Sequence, residues 1–178
     1  MHPTRSTPAP VLALIGLLLS LTFPGCGSAP RAGVTRDTPP AAFGLSVTVI
    51  RGDAATPNPL HRPARYVLEA DGWLRAGTGP GATRETLPPR VRRLTHTQRQ
   101  RLWDLTRDSG LLDPDCPVRI ASGDGPIPTR AHPLLLVTAE TGRGRFSCAV
   151  ALESVLGEPY EPMLEALSGW AWVSVLAD

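Results

Sequence analysis

The sequence predicts an α+β domain: one mainly antiparallel sheet of about five or six strands with two helices packed on one face. Three observations carry this. Short runs alternate apolar and polar residues, the period of a half-buried strand. One segment, Thr95 to Gly110, has helix punctuation at both ends. Proline and glycine, 20 and 17 residues respectively, gather largely between these runs.

Taken in order, Leu45, Val47 and Val49 alternate with Ser46 and Thr48, which places a first strand at 45–51. Pro57, Pro59 and Pro63 make 52–63 a loop. Tyr66–Glu69 and Trp73–Ala76 form a hairpin. A two-residue turn at Asp71 and Gly72 would set Leu68 opposite Arg75. A three-residue loop with Gly72 left-handed sets Leu68 opposite Leu74 and leaves Glu69 and Arg75 together on the wet face, so the longer loop is expected. Arg90–Leu94 reads as a short edge strand, stopped behind by Pro88 and Pro89. The helix that follows has Thr95 as cap, Gln98 as the other half of a capping box, and Gly110 as its end. Leu102, Leu105, Thr106 and Ser109 form its core stripe, with Trp103 at the margin. Leu134–Ala139, apolar on both faces, reads as a central strand, and Thr141–Gly144 turns the chain into a partner carrying Phe146, Cys148 and Val150 on one face. Met163, Leu164, Leu167, Trp170 and Ala171 fit a helix opened after Pro162. Residues 170–176 also alternate like a strand, and the helix is the expectation.

The front of the chain says where the protein resides. An apolar run from Val11 to Leu21, about half the length needed to span a bilayer as a helix, follows an arginine-bearing, acid-free flank and is followed by small residues. That is the order of an export signal, residues 1–25. Gly25 directly before Cys26 resembles the lipobox of bacterial lipoproteins, although Phe23 and Pro24 stand where that family usually has Leu and then Ala or Ser. The resemblance implies that the Cys26 thiol receives diacylglycerol and becomes the mature N-terminus, with further acylation such as palmitate. Gly27 in place of Asp favours an outer membrane if the host has two. Residues 26–42 then serve as lipid-attachment cysteine and flexible linker, and 43–178 form a single domain. The Tyr66-x-Leu68…Asp71-Gly72 hairpin before a capped helix resembles small single-domain α+β bacterial lipoproteins of unknown function. It implies architecture and no activity.

All 18 basic residues are arginine, and past the leader 17 of them face 16 acids, so no net field points to nucleic acid. No Gly-rich loop opens a helix, no G-x-S-x-G turn occurs, and His61, His96 and His132 each stand alone at a loop or helix start. Asp113, Asp115 and Asp124 lack the spacing of a calcium loop. Neither a cofactor nor a metal is expected, and neither is a transmembrane helix in the mature chain. The densest charge run is Arg90, Arg92, Arg93, Arg99 and Arg101. Arg90 and Arg92 are expected on one strand face with Arg93 opposite. Arg90, Arg92, Arg99 and Arg101 offer contacts to an anionic surface; a solvated edge strand and helix face is the plain alternative. With Cys26 acylated, Cys116 and Cys148 remain in an oxidising compartment as a disulfide candidate, the alternative being a buried thiol and an idle one.

Two function classes follow. The favoured one is a non-catalytic binding or structural module of the cell envelope, tethered to the membrane through its lipid, with an envelope protein as partner. The alternative is an envelope hydrolase with scattered residues. A deep polar pocket joining histidine to acid or serine would mark the enzyme, and a shallow surface with an exposed strand edge the module.

Overall fold

The computed structural model describes residues 38–50, 57–113, 116 and 133–172, all within one compact unit, Arg36–Asp178. The leader with Cys26, the linker as far as residue 37, His132, Asp115, Asp124 and residues 173–176 lie outside the described residues. Six strands form one antiparallel sheet: β1 (Gly44–Ile50), β2 (Ala64–Leu68), β3 (Trp73–Thr78), β4 (Arg90–Arg93), β5 (Leu134–Thr141) and β6 (Gly144–Ala151). Their spatial order is β4-β3-β2-β1-β5-β6. Two helices, α1 (His96–Asp108) and α2 (Glu161–Trp172), complete the α+β fold.

Period-two alternation decides which face is covered. Leu45, Val47 and Val49 stand opposite Leu68, Tyr66 and Ala64 on one side, and opposite Ala139, Val137 and Leu135 on the other. Together with Leu74, Ala76, Cys148 and Val150 they are buried in one core with Leu102 and Trp103 of α1 and Met163, Leu164 and Leu167 of α2. Neither described helix lies on the other face. Ser46, Thr138 and Ser147 lie on it, with a 3.0 Å hydroxyl contact between the last two. Half-buried Leu136 shares this face, which is why β5 reads as apolar on both sides.

The β2–β3 hairpin takes the longer loop. Leu68 pairs with Leu74, Gly72 has φ 90°, and Glu69 N–H donates to Trp73 O at 2.8 Å. The two leucines thereby reach the core, and Arg75 meets Glu69 at 2.8 Å on the opposite face. At α1 the capping box is complete: Thr95 Oγ1 accepts from Gln98 N–H at 3.3 Å, and Gln98 Oε1 accepts from Thr95 N–H at 2.9 Å. Gly110, φ 73°, follows its last turn. Trp103 departs from expectation. It lies in the core, because Phe43 turns back through a Phe43 N–H to Pro40 O bond of 2.9 Å and meets the indole edge to face at 5.1 Å. Leu105 and Ser109 are only partly buried. α2 is helical through Trp172, so Trp170 and Ala171 belong to a helix.

Glu69 also receives Arg90 at 2.7 Å. The two guanidiniums, Arg75 first, hold its carboxyl below the usual carboxylate range. A group depressed in the folded state contributes stability above its unfolded pKa, and loses it as pH falls through the folded value. Glu69→Gln should therefore melt below wild type at neutral pH. The gap should close as pH drops below about 4.3, a trend that melting curves between pH 3 and 7 would read.

Candidate functional site

The arginine run does not form one surface. A register shift between Leu74 and Arg75 sets Arg92 opposite Leu74 but Arg90 opposite Arg75. Arg90 and Arg92 therefore leave β4 on opposite faces, contrary to the alternation expected of a regular strand. The bulge is the physical reason. Arg90 lies on the face away from α1 and α2, paired with Glu69 and Asp71, its guanidinium 5.3 Å from the centre of the Trp73 ring. Arg92 turns to the helix side and donates to Trp170 O at 3.2 Å, in the last described turn of α2. Arg99 donates to Ala70 O at 3.1 Å and closes over Gly72. Arg101 is exposed on α1. Three of the four brace the β2–β3 hairpin or α2, so their charge is largely spent on architecture.

The histidines behave similarly. His61 closes a 3-10 turn, Pro59–His61, and is 7% exposed. Its ring is held by Asn58 Nδ2 at 3.1 Å, with Glu161 at 3.6 Å and Glu153 at 3.8 Å. This clamps the turn before β2 to the start of α2 and leaves no open side for a reacting group. His96 is exposed at the first residue of α1. Asp113 is an exposed loop residue, and no group of three metal-ligating side chains occurs among the described residues.

A concave site exists elsewhere. On the helix side, a cleft of about 1300 Å³ is lined by the far ends of β1, β2 and β3 together with α2. Val49, Ala64 and Tyr66, all buried, lie at its base. Ser168 and Trp172 of α2 form one wall, with the indole half exposed. Opposite stands the segment after β3, Gly79 to Glu85. That segment is fixed by the sheet: Gly79 N–H donates to Pro63 O at 2.8 Å, Arg65 Nη1 to Thr83 O at 2.8 Å, and Arg75 Nη1 to Pro88 O at 2.9 Å. A wall held by strand residues is preorganised, which lowers the ordering cost of binding.

The rim is charged. Arg62 and Arg84 stand at it with Glu85. Glu85 accepts hydrogen bonds from its own backbone N–H and from Thr83, and these, helped by Arg84 and Arg65, hold its carboxyl below the usual range. Arg65 is partly desolvated, which pulls its pKa down despite Glu85. One acid thus answers two arginines, and exposed Arg62 has no acidic partner among the described residues. An apolar floor under an excess of guanidinium suits a ligand with an apolar body and an anionic end. No histidine lines the cleft among the described residues, and Ser168 has no base beside it there.

Sequence reasoning missed this site. Its wall, 78–89, reads as a turn-rich run without period. The available signals were Trp172 on the exposed side of an apolar helix and Tyr66 on the core side of a strand. The two described cysteines are free thiols, Cys148 buried and Cys116 half-buried. No protein-family model matches the chain, and no curated protein matches it either.

Proposed function

We propose that this chain is a lipid-anchored cell-envelope protein that works by binding, and that the cleft beyond α2 is where it binds an amphipathic anion. The observation that carries the reading is the cleft: a preorganised apolar hollow rimmed by Arg62 and Arg84 and lacking a nucleophile–base pair among the described residues. The anchor rests on the sequence, on Gly25 and Cys26 at the exit of the apolar run. The domain then hangs from the membrane by its linker, with the cleft turned to whatever the envelope presents.

A naphthalene sulfonate dye, apolar in body and anionic at one end, is the probe. Saturable one-to-one binding with a rise in dye fluorescence is expected. Ser168→Trp, which places a large ring in the cleft from an exposed helix wall, should weaken it at least tenfold. Arg62→Glu should weaken it several-fold with the fold intact. Non-saturable binding, or affinity indifferent to both variants, would refute the site.

A further inference from the structure

We propose that Cys116 and Cys148 are a redox pair that closes into a disulfide beside Tyr160. The pairing in β6 sets Cys148 opposite Val137, on the helix-side face, with no exposure to solvent. Its Sγ lies 3.4 Å from Tyr160 Oη. Tyr160 is itself buried, at the end of a 3-10 turn, Glu158–Tyr160, that leads into α2. Cys116 comes from the stretch that follows α1. Its N–H donates to Asp113 O at 3.2 Å, and its thiol interacts with the Tyr160 hydroxyl and with Cys148. Two thiols from distant stretches of chain therefore converge on one buried phenol, with only Cys116 open to solvent.

Burial divides the chemistry between them. It pushes the Cys148 thiol up to about 11, so at neutral pH this sulfur is protonated and slow to attack. Burial raises Tyr160 as well, which keeps the phenol protonated and able to donate to a thiolate formed beside it. Cys116 is the entry. Its thiolate attacks one sulfur of an oxidising disulfide, R–S–S–R; that bond breaks and R–S⁻ leaves and takes up a proton. Cys148 then gives up its proton, attacks the Cys116 sulfur, and expels the second R–S⁻. The two cysteines lose two electrons and two protons, and the oxidant becomes two thiols. The second step is slowed by the high Cys148 pKa and favoured by placement of the two sulfurs at one site.

The inference goes beyond the binding reading and does not depend on where the protein resides, because the oxidant is supplied. Reduced full-length protein is incubated with excess glutathione disulfide, alkylated without reduction, and cut with trypsin after arginine. The expected product joins peptide 108–119 to peptide 146–178, with the melting temperature up by roughly 10 °C relative to the reduced protein. Cys116→Ser, at a half-buried loop position, should keep its circular dichroism while losing both the linked peptide and the redox-dependent shift. Alkylation of both cysteines after oxidation, or a glutathione adduct on Cys116 that never resolves, would overturn the pair.

Discussion

Gly157→Ala should lower the stability of the domain by about 3 kcal/mol, at the upper end of the range for overpacking, which corresponds to a fall in Tm of roughly 10 °C. The backbone of Gly157 is ordinary, φ −81° and ψ −31°, so no left-handed conformation is at stake. The obstacle is space. A Cβ there would lie 2.6 Å from both Ala151 O and Leu152 O and 3.0 Å from Leu152 C. None of these is the far end of a flexible side chain. Ala151 O is already engaged by Ser154 N–H at 3.2 Å and Ser154 Oγ at 2.7 Å, and Leu152 N–H is tied to Pro133 O at 3.0 Å. The whole β6–α2 connection would have to move, and with it Tyr160, whose N–H donates to Gly157 O at 2.9 Å. Gly169→Ala is the matched control. It lies in α2 with open space around the new methyl, and should stabilise by about 0.5–1 kcal/mol through helix propensity alone. Thermal melts of the two variants read opposite signs from one chemical change.

The contrast also shows what a sequence can and cannot carry. Gly72 and Gly110 are legible because local rules place them, one in a three-residue hairpin loop and one past a helix end. Gly157 is not, since its neighbours Ala151 and Leu152 come close only after the chain turns into α2. The same distinction runs through the fold. Leu68 and Leu74 fix their register by needing one face, and Thr95 with Gln98 fixes the start of α1. Arg90 and Arg92 break the period because the bulge depends on how β4 meets β3, which alternation along one strand cannot express. Trp103 needed Phe43, a residue sixty positions away, to become core. The cleft was the least legible feature, because it is assembled from residues far apart in sequence, on β1, β2 and α2 and on a Pro/Gly-rich wall pinned through Arg65 and Arg75.

If the proposed anchor holds the protein, Cys26→Ser should shift it almost completely out of the membrane fraction. The expectation rests on arithmetic of anchoring. A single acyl chain holds a protein only marginally, at about 0.8 kcal/mol for each buried methylene, whereas two or three chains on one cysteine make retention effectively permanent. Nothing else among the described residues replaces that anchor: no helix there is long and apolar enough to cross a membrane, and the arginines of β4 and α1 are mostly engaged inside the fold. Under the proposed anchoring, the serine variant lacks the thiol that would receive the lipid, so it should collect as a precursor retaining residues 1–25 or appear in the soluble fraction.

The most direct measurement is metabolic labelling with a fatty acid carrying a detectable tag, followed by membrane fractionation of the full chain and its Cys26→Ser variant. A lipid-anchored protein incorporates the label at Cys26, migrates without residues 1–25 and sediments with membranes, and the variant shows none of the label. Wild type that takes up no fatty acid, or a serine variant that is labelled and retained equally well, would contradict the anchor on which the account rests.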